Sequence, residues 1–295
     1  MELAYAPVIA TLNRPGTLRL MLESLARQTE LPSQVLLVDA SENNDTEELS
    51  RTLSLPFPVT YLRSSFRSSA RQRNEGAAKV STPLIAFMDD DIVLEPETMA
   101  RLLSVFAKPE AKQVGGVAGR IRGSNHPQPK GLLWWYYRLQ AGYADQTFGA
   151  RLFGPAINTF PCFDVQTGLI PADWLSSTCV VYWTDLFLQE RFPEFEGYSF
   201  AEDVHLSARI AKTHRLYFDA EAVYDHFSQP TDFKQSHGQF VAAAIRNGKV
   251  VARDVMGQHG FELFWKFLLQ RLFETAVLVK ERREGWLEAV RGTWS

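Results

Sequence analysis

Over the first hundred residues, short apolar runs alternate with stretches whose apolar residues recur every three or four positions. Ala6–Thr11 (APVIAT) predicts a strand, and Pro15 opens a segment whose Leu18, Met21, Leu22 and Leu25 fall at helical spacing. Gln34–Val38 predicts a second strand ending at Asp39. Asn44 and Glu47 then stand three apart, the spacing of a helix cap and its returning acid. Val59–Arg63 predicts a third strand, Ser69–Val80 a helix, and Leu84–Met88 a fourth strand running into Asp89-Asp90-Asp91. Continuous apolar strands separated by helices predict a parallel sheet covered on both faces. Such sheets bind ligands beyond the carboxyl ends of their strands. Asn13 and Arg14, Asp39 and Ser41, and the three aspartates should therefore converge on one crevice.

The middle of the chain is less regular. Gly115–Ile121 predicts another strand, Lys130–Tyr143 is dense in aromatic residues, and Val165–Tyr182 suggests two short strands around Pro171. Phe200–Thr213 predicts a helix with acids in its first turn and bases in its last. A strand near Arg215–Phe218 and His226 follows, and the rest reads as helices. The most apolar of these, Phe261–Val279, is interrupted by Glu262, Lys266, Arg271 and Glu274. It falls short of the ~20 mostly apolar residues of a spanning helix.

A formal charge of -3 argues against a broad nucleic-acid-binding face. The N-terminus has neither a basic segment nor a long apolar one, so no signal peptide is expected. Cys162 and Cys179 are too far apart for a CxxC motif. A reduced, cytoplasmic setting is the default expectation.

Neither GxGxxG after the first strand nor GxxxxGK[ST] occurs, which disfavours a Rossmann dehydrogenase or P-loop NTPase. A nucleotide can still bind through base and ribose contacts at strand ends, with its diphosphate on a metal. Asp39 is placed to accept from a base imide or ribose hydroxyl, or is a strand-end turn residue. Three adjacent carboxylates repel unless a cation compensates them. Mg²⁺ takes one or two carboxylates plus substrate phosphates, and alternation lets Asp89 and Asp91 face one way and Asp90 another. The competing reading is a solvated acidic turn. Glu202-Asp203 at a helix start suits either the helix dipole or a general base.

Four segments together resemble glycosyltransferase family 2, whose members have the GT-A fold. They are VIATLNRPGTLRLMLESLARQT with VLLVDASENND, ARQRNEGAAKVSTPLIAFMDDDIVLEP, FEGYSFAEDVHLSARI, and AVYDHF. The resemblance implies an α/β, Rossmann-like, mostly parallel sheet flanked by helices. The catalytic domain would span 1–230, with a nucleotide-sugar half (1–122) and an acceptor half (123–230), and 231–295 would form a helical C-terminal extension. It implies that Thr11, Asn13, Arg14 and Asp39, with Ser41, line the nucleoside pocket, and that Arg73 and Asn74 lie near the donor. Asp89 and Asp90 would approach the donor, Asp91 and His226 would hold the metal, Asp203 would be the general base, and Glu202 would orient it or hold the acceptor.

Implied too are a divalent metal (Mg²⁺ or Mn²⁺), a nucleoside-diphosphate sugar, and a glycan, polysaccharide or lipid-linked acceptor. One displacement would invert the anomeric carbon, with no covalent nucleophile. The loop ADWLSSTCVVYWTD departs from the family pattern, with Ser176 and Ser177 where glycine is common and Trp183 where arginine is. His205 replaces a frequent aspartate and receives no role.

Trp174 in that loop is a candidate acceptor platform, whereas Trp134, Trp135, Tyr136 and Tyr137 read as core ahead of sugar stacking. FELFWKFLLQRLF and KERREGW suit either an interfacial membrane helix or, ahead of it, packing on the catalytic domain or a dimer contact. Oligomeric state is not legible. The rival classes are a metal-dependent phosphotransferase and a non-catalytic GT-A-like binding protein.

Overall fold

The alternation seen in the sequence builds one large sheet. The structure is a computed structural model and describes residues 3–124, 126, 129–141, 149–164, 166–195, 200–227, 237–282 and 285–294. Its strands are β1 (Tyr5–Thr11), β2 (Val35–Asp39), β3 (Val59–Arg63), β4 (Leu84–Asp89), β5 (Ile92–Leu94), β6 (Val114–Ile121), β7 (Leu152–Phe153), β8 (Ile157–Asn158), β9 (Leu169–Ala172), β10 (Cys179–Trp183) and β11 (Arg215–His226). The helices are α1 (Pro15–Leu25), α2 (Asp45–Thr52), α3 (Ser69–Ala77), α4 (Thr98–Phe106), α5 (Gly131–Gln140), α6 (Thr184–Glu190), α7 (Glu202–Ile210), α8 (His237–Val250), α9 (Gly260–Glu281) and α10 (Trp286–Trp294).

The sheet runs β3-β2-β1-β4-β10-β6-β11-β5, with β9 beside β11, and β7 pairs β8 apart from it. β1 to β4 are mutually parallel. β10 is inserted antiparallel between β4 and β6, and β6 is parallel to β11. Every residue of β2 is buried, as a strand covered on both faces requires. On one face Ile9, Leu37 and Met88 meet Leu18 and Leu22 of α1 and Met99 and Phe106 of α4. On the other, Val8, Val38, Phe87 and Val180 meet Ala70 of α3, Phe187 of α6 and Leu206 of α7. Each large side chain so buried contributes about 1.5–3 kcal/mol.

Several local expectations are corrected. Asn44 flanks α2 but makes no side-chain cap; its Oδ1 accepts from Arg63, and Glu47 pairs with Arg51 and Arg63. The ion pairs outcompete the capping geometry. Pro171 lies within β9, exposed, where the missing N–H costs no ladder bond. The expected strand near Arg215–Phe218 and His226 is the single strand β11, with a register shift between Phe218 and Val223. Gly142, Tyr143 and Val165 lie outside the described residues.

Both cysteines are free and buried. At the C-terminus, a π-helical turn (Val251–Val255) follows α8, and its Val251 and Val255 pack on Trp174 and on Val204 and Ala208 of α7. The extension is thus anchored to the helix that carries Glu202-Asp203. Among the described residues no helix is long and apolar enough to cross a membrane.

Candidate active site

The three aspartates fill the connection between β4 and β5, and they divide as alternation predicts. Asp90 turns into the protein. It accepts from Thr11 Oγ1 at 2.6 Å and Arg14 at 3.1 Å, and burial pushes its carboxyl up to about 6. Asp89 and Asp91 turn the other way, where they meet His226. One ligand atom from each of these three residues lies within 4.8 Å of the others. Strand pairing explains the meeting: β11 is antiparallel to β5 with His226 opposite Ile92, and the Phe227 amide donates to the Asp91 carbonyl. His226 Nε2 sits 3.1 Å from Asp91 Oδ1, and that hydrogen bond raises the imidazole above its ordinary value. Two carboxylates and an imidazole are a donor set for Mn²⁺ or Mg²⁺.

Arg73 joins this group to the second one. It projects from α3, is 4% exposed, and donates to Asp89 and, at 3.5 Å, to Glu202. The helix reaches this depth because Gly76 rests on the sheet; a Cβ there would lie 2.5 Å from Val8 Cγ1 and 2.8 Å from Val38 Cγ2. Glu202 and Asp203 open α7, after Ala201 in the left-handed region (φ 65°). Burial, then the charge of Asp203, pushes Glu202 up to about 8. Burial also raises Asp203, but two backbone N–H groups oppose it: Val204 N donates to Oδ1 at 2.8 Å and Ser177 N to Oδ2 at 3.4 Å. Those bonds favour the charged form, so Asp203 is the readier of the pair to ionise.

On the expected nucleoside side, Asp39, Asn74 and Arg14 are held by partners within the protein. Asp39 is fully buried, and both its oxygens are taken, Oδ1 by Ser41 N and Oγ and Oδ2 by Tyr61 and Arg63. It fixes the strand-end turn instead of offering a free carboxylate. Ser41 Oγ in turn accepts from the amide of Asn13, whose backbone is left-handed (φ 56°) and whose side chain is exposed. Asn74 is turned from the donor; its amide clamps the backbone of Phe192 in both directions. Trp174 is 2% exposed, donates its indole N–H to Thr159 O, and packs edge-on against Phe160 and Phe218. It is core and presents no stacking face.

Arg14, expected at the nucleoside, bridges Asp90 and Asp91. Of the aromatic run, Tyr136 stacks on Phe273 of α9 and Tyr137 meets Phe153 edge-on, as core residues do. Trp183 donates to Ala111 O, and His205 packs edge-on against Phe195. The sequence reading missed Gln72, which ties the carbonyls of Thr11 and Val38 together. It also missed the Ser177 amide, which a pattern of side chains cannot show.

Comparison with known proteins agrees with this geometry. The chain is 30% identical over 311 aligned positions to a validoxylamine A glucosyltransferase of Streptomyces hygroscopicus subsp. limoneus, covering 97% of the chain and 64% of that protein. The corresponding protein of subsp. jinggangensis is 29% identical, with 97% and 68% covered. The chain thus spans about two thirds of the length of these relatives.

Among solved structures, Staphylococcus aureus TarS 1-349 superposes with a TM-score of 0.54 at 17% identity, covering 96% of this chain and 74% of that one. The mannosyltransferase PcManGT of Pyrobaculum calidifontis, in complex with GDP-Man and Mn²⁺, gives 0.56 at 12% identity, covering 99% and 84%. The fold is therefore GT-A, with a helical C-terminal extension. The family model for glycosyl transferase family 2 matches residues 8–162, more than half of the chain, and takes in β1, β4 and the aspartate triplet. The chain belongs to glycosyl transferase family 2.

Proposed function

We propose that the protein transfers a sugar from a nucleoside-diphosphate sugar to an acceptor hydroxyl, by one inverting displacement that depends on a divalent cation. The observation carrying this reading is the joining of two acidic groups by Arg73: Asp89, Asp91 and His226 on one side, Glu202 and Asp203 on the other.

The trio fits a cation by donor type and spacing. A cation held there supplies Lewis-acid neutralisation of the leaving diphosphate. Asp203, partly open to solvent and held by two amides, takes the proton of the attacking hydroxyl. Glu202, buried and pushed up to about 8, favours its protonated form and so lessens the repulsion that an ionised Asp203 would meet. Thr11, Arg14 and Asp90 brace the aspartate turn from behind.

The exposed aromatic face at the start of α9, with Phe261, Phe264 and Trp265, supports contact with a lipid surface and hence a lipid-linked acceptor.

The test is a melting-temperature panel of UDP-, GDP- and dTDP-sugars with and without Mn²⁺. One nucleotide should raise the melting temperature only with metal present. Asp91→Ala should lose the metal-dependent part, and nucleotide affinity indifferent to metal in both proteins would reject the metal role.

A further inference from the structure

Arg120 is a cation near the site that the reaction leaves unused. It makes no hydrogen bond or ion pair with any described residue, and its Nε is shut off from solvent without a partner. Its guanidinium carbon lies 5.1 Å from the centroid of the Phe163 ring. A guanidinium stacked on a ring keeps its in-plane N–H groups for a planar oxyanion.

Its place in the sheet puts this donor on the acceptor side of the cleft. Ala118 and Arg120, two apart on β6, share the face covered by α7, since Ala118 packs with Val180 and Leu206. In the antiparallel register Val180 opposes Ala118, the last pair, and the same register carried two residues further sets Arg120 opposite Thr178. The Thr178 carbonyl holds the Asp89 amide, and the amide of Ser177 touches Asp203. Arg120 is therefore one strand, about 5 Å, from the backbone that contacts the base. An aromatic wall continues beyond it: Phe163 and the half-buried Phe160 both meet Phe218, and the exposed ring of His126 stacks on Phe160 at 4.7 Å.

Resting on the transferase reading, we infer that Arg120 anchors the acceptor, and that the acceptor carries an oxyanion, either a phosphate ester or a carboxylate. Its hydroxyl meets Asp203, and its anion closes on Arg120.

The experiment saturates the protein with Mn²⁺ and the nucleoside diphosphate chosen by the panel above, then titrates glucose 6-phosphate, glucuronate and glucose by calorimetry. The anionic probes should bind at least about tenfold tighter than glucose. Arg120→Gln should bring that ratio to about one with unchanged nucleotide affinity, and Arg120→Lys should keep part of it. Equal binding of the three probes by wild type, a ratio unchanged in Arg120→Gln, or displacement of the probes by the nucleotide would overturn the assignment. If no nucleoside diphosphate binds, the transferase reading fails on its own, and glucose 6-phosphate binding with and without Arg120 still reads the anion site.

Discussion

Glu202 and Asp203 are neighbours of the same chemical type, yet the groups around their oxygens divide their work. Two backbone amides favour the charged form of Asp203 against its burial, whereas Glu202 is more deeply buried and faces the charge of Asp203. Asp203→Asn should lower transfer by about 10²–10⁴-fold with nucleotide affinity retained, read by steady-state kinetics alongside calorimetry. Glu202 also gives stability a pH dependence. Because its folded value, about 8, lies above the ordinary carboxylate value, folding favours the protonated form. The stabilisation is present in acid and is lost as pH rises through about 8. Glu202→Gln should therefore melt progressively higher than wild type as pH goes from about 5 to about 8.5, and parallel curves would refute the shift. The carboxylates were legible because they stand at a strand end and a helix start. Asp39, Asn74 and Trp174 were not, since what decides each is a partner remote in sequence: Tyr61 and Arg63, Phe192, and Thr159.

Among the elements, α3 shows how packing sets reach. Alanine would normally be preferred to glycine within a helix by about 1 kcal/mol. At Gly76 the added methyl would press on Val8 and Val38, branched side chains with no room to swing aside. Overpacking of this kind costs about 1–3 kcal/mol and should win. Gly76→Ala should lower the melting temperature by roughly 2–6 °C, and it should weaken nucleotide binding through Arg73. The parallel strands β1, β2 and β4 were readable because burial on both faces leaves an almost unbroken apolar run. The direction of β10 was not, because CVVYW has the same pattern whichever way it runs. Pro171 reads as a break, yet it sits in a strand whose outer edge asks for no donor.

For the molecule as a whole, the open question of the sequence was what the last helices cover. The π turn grips α7, and α9 leaves Phe261 77% and Phe264 62% exposed. If that face meets lipid, the protein should float with anionic vesicles and a Phe261→Ser, Phe264→Ser, Trp265→Ser variant should not. Wild type remaining at the bottom of the gradient would leave the face to another partner. The insertion of β10 has a consequence of its own. Asp89, Thr178, Arg120 and Val223 lie in a row: the Thr178 carbonyl holds the Asp89 amide and Arg120 pairs with Val223, while the middle step continues the β10–β6 register two residues past its last pair. At about 4.8 Å a step, the row measures about 14 Å from end to end. The sheet thus works as a ruler: substitutions along the row can change what is gripped, but the length of molecule that fits between its ends is set by the backbone.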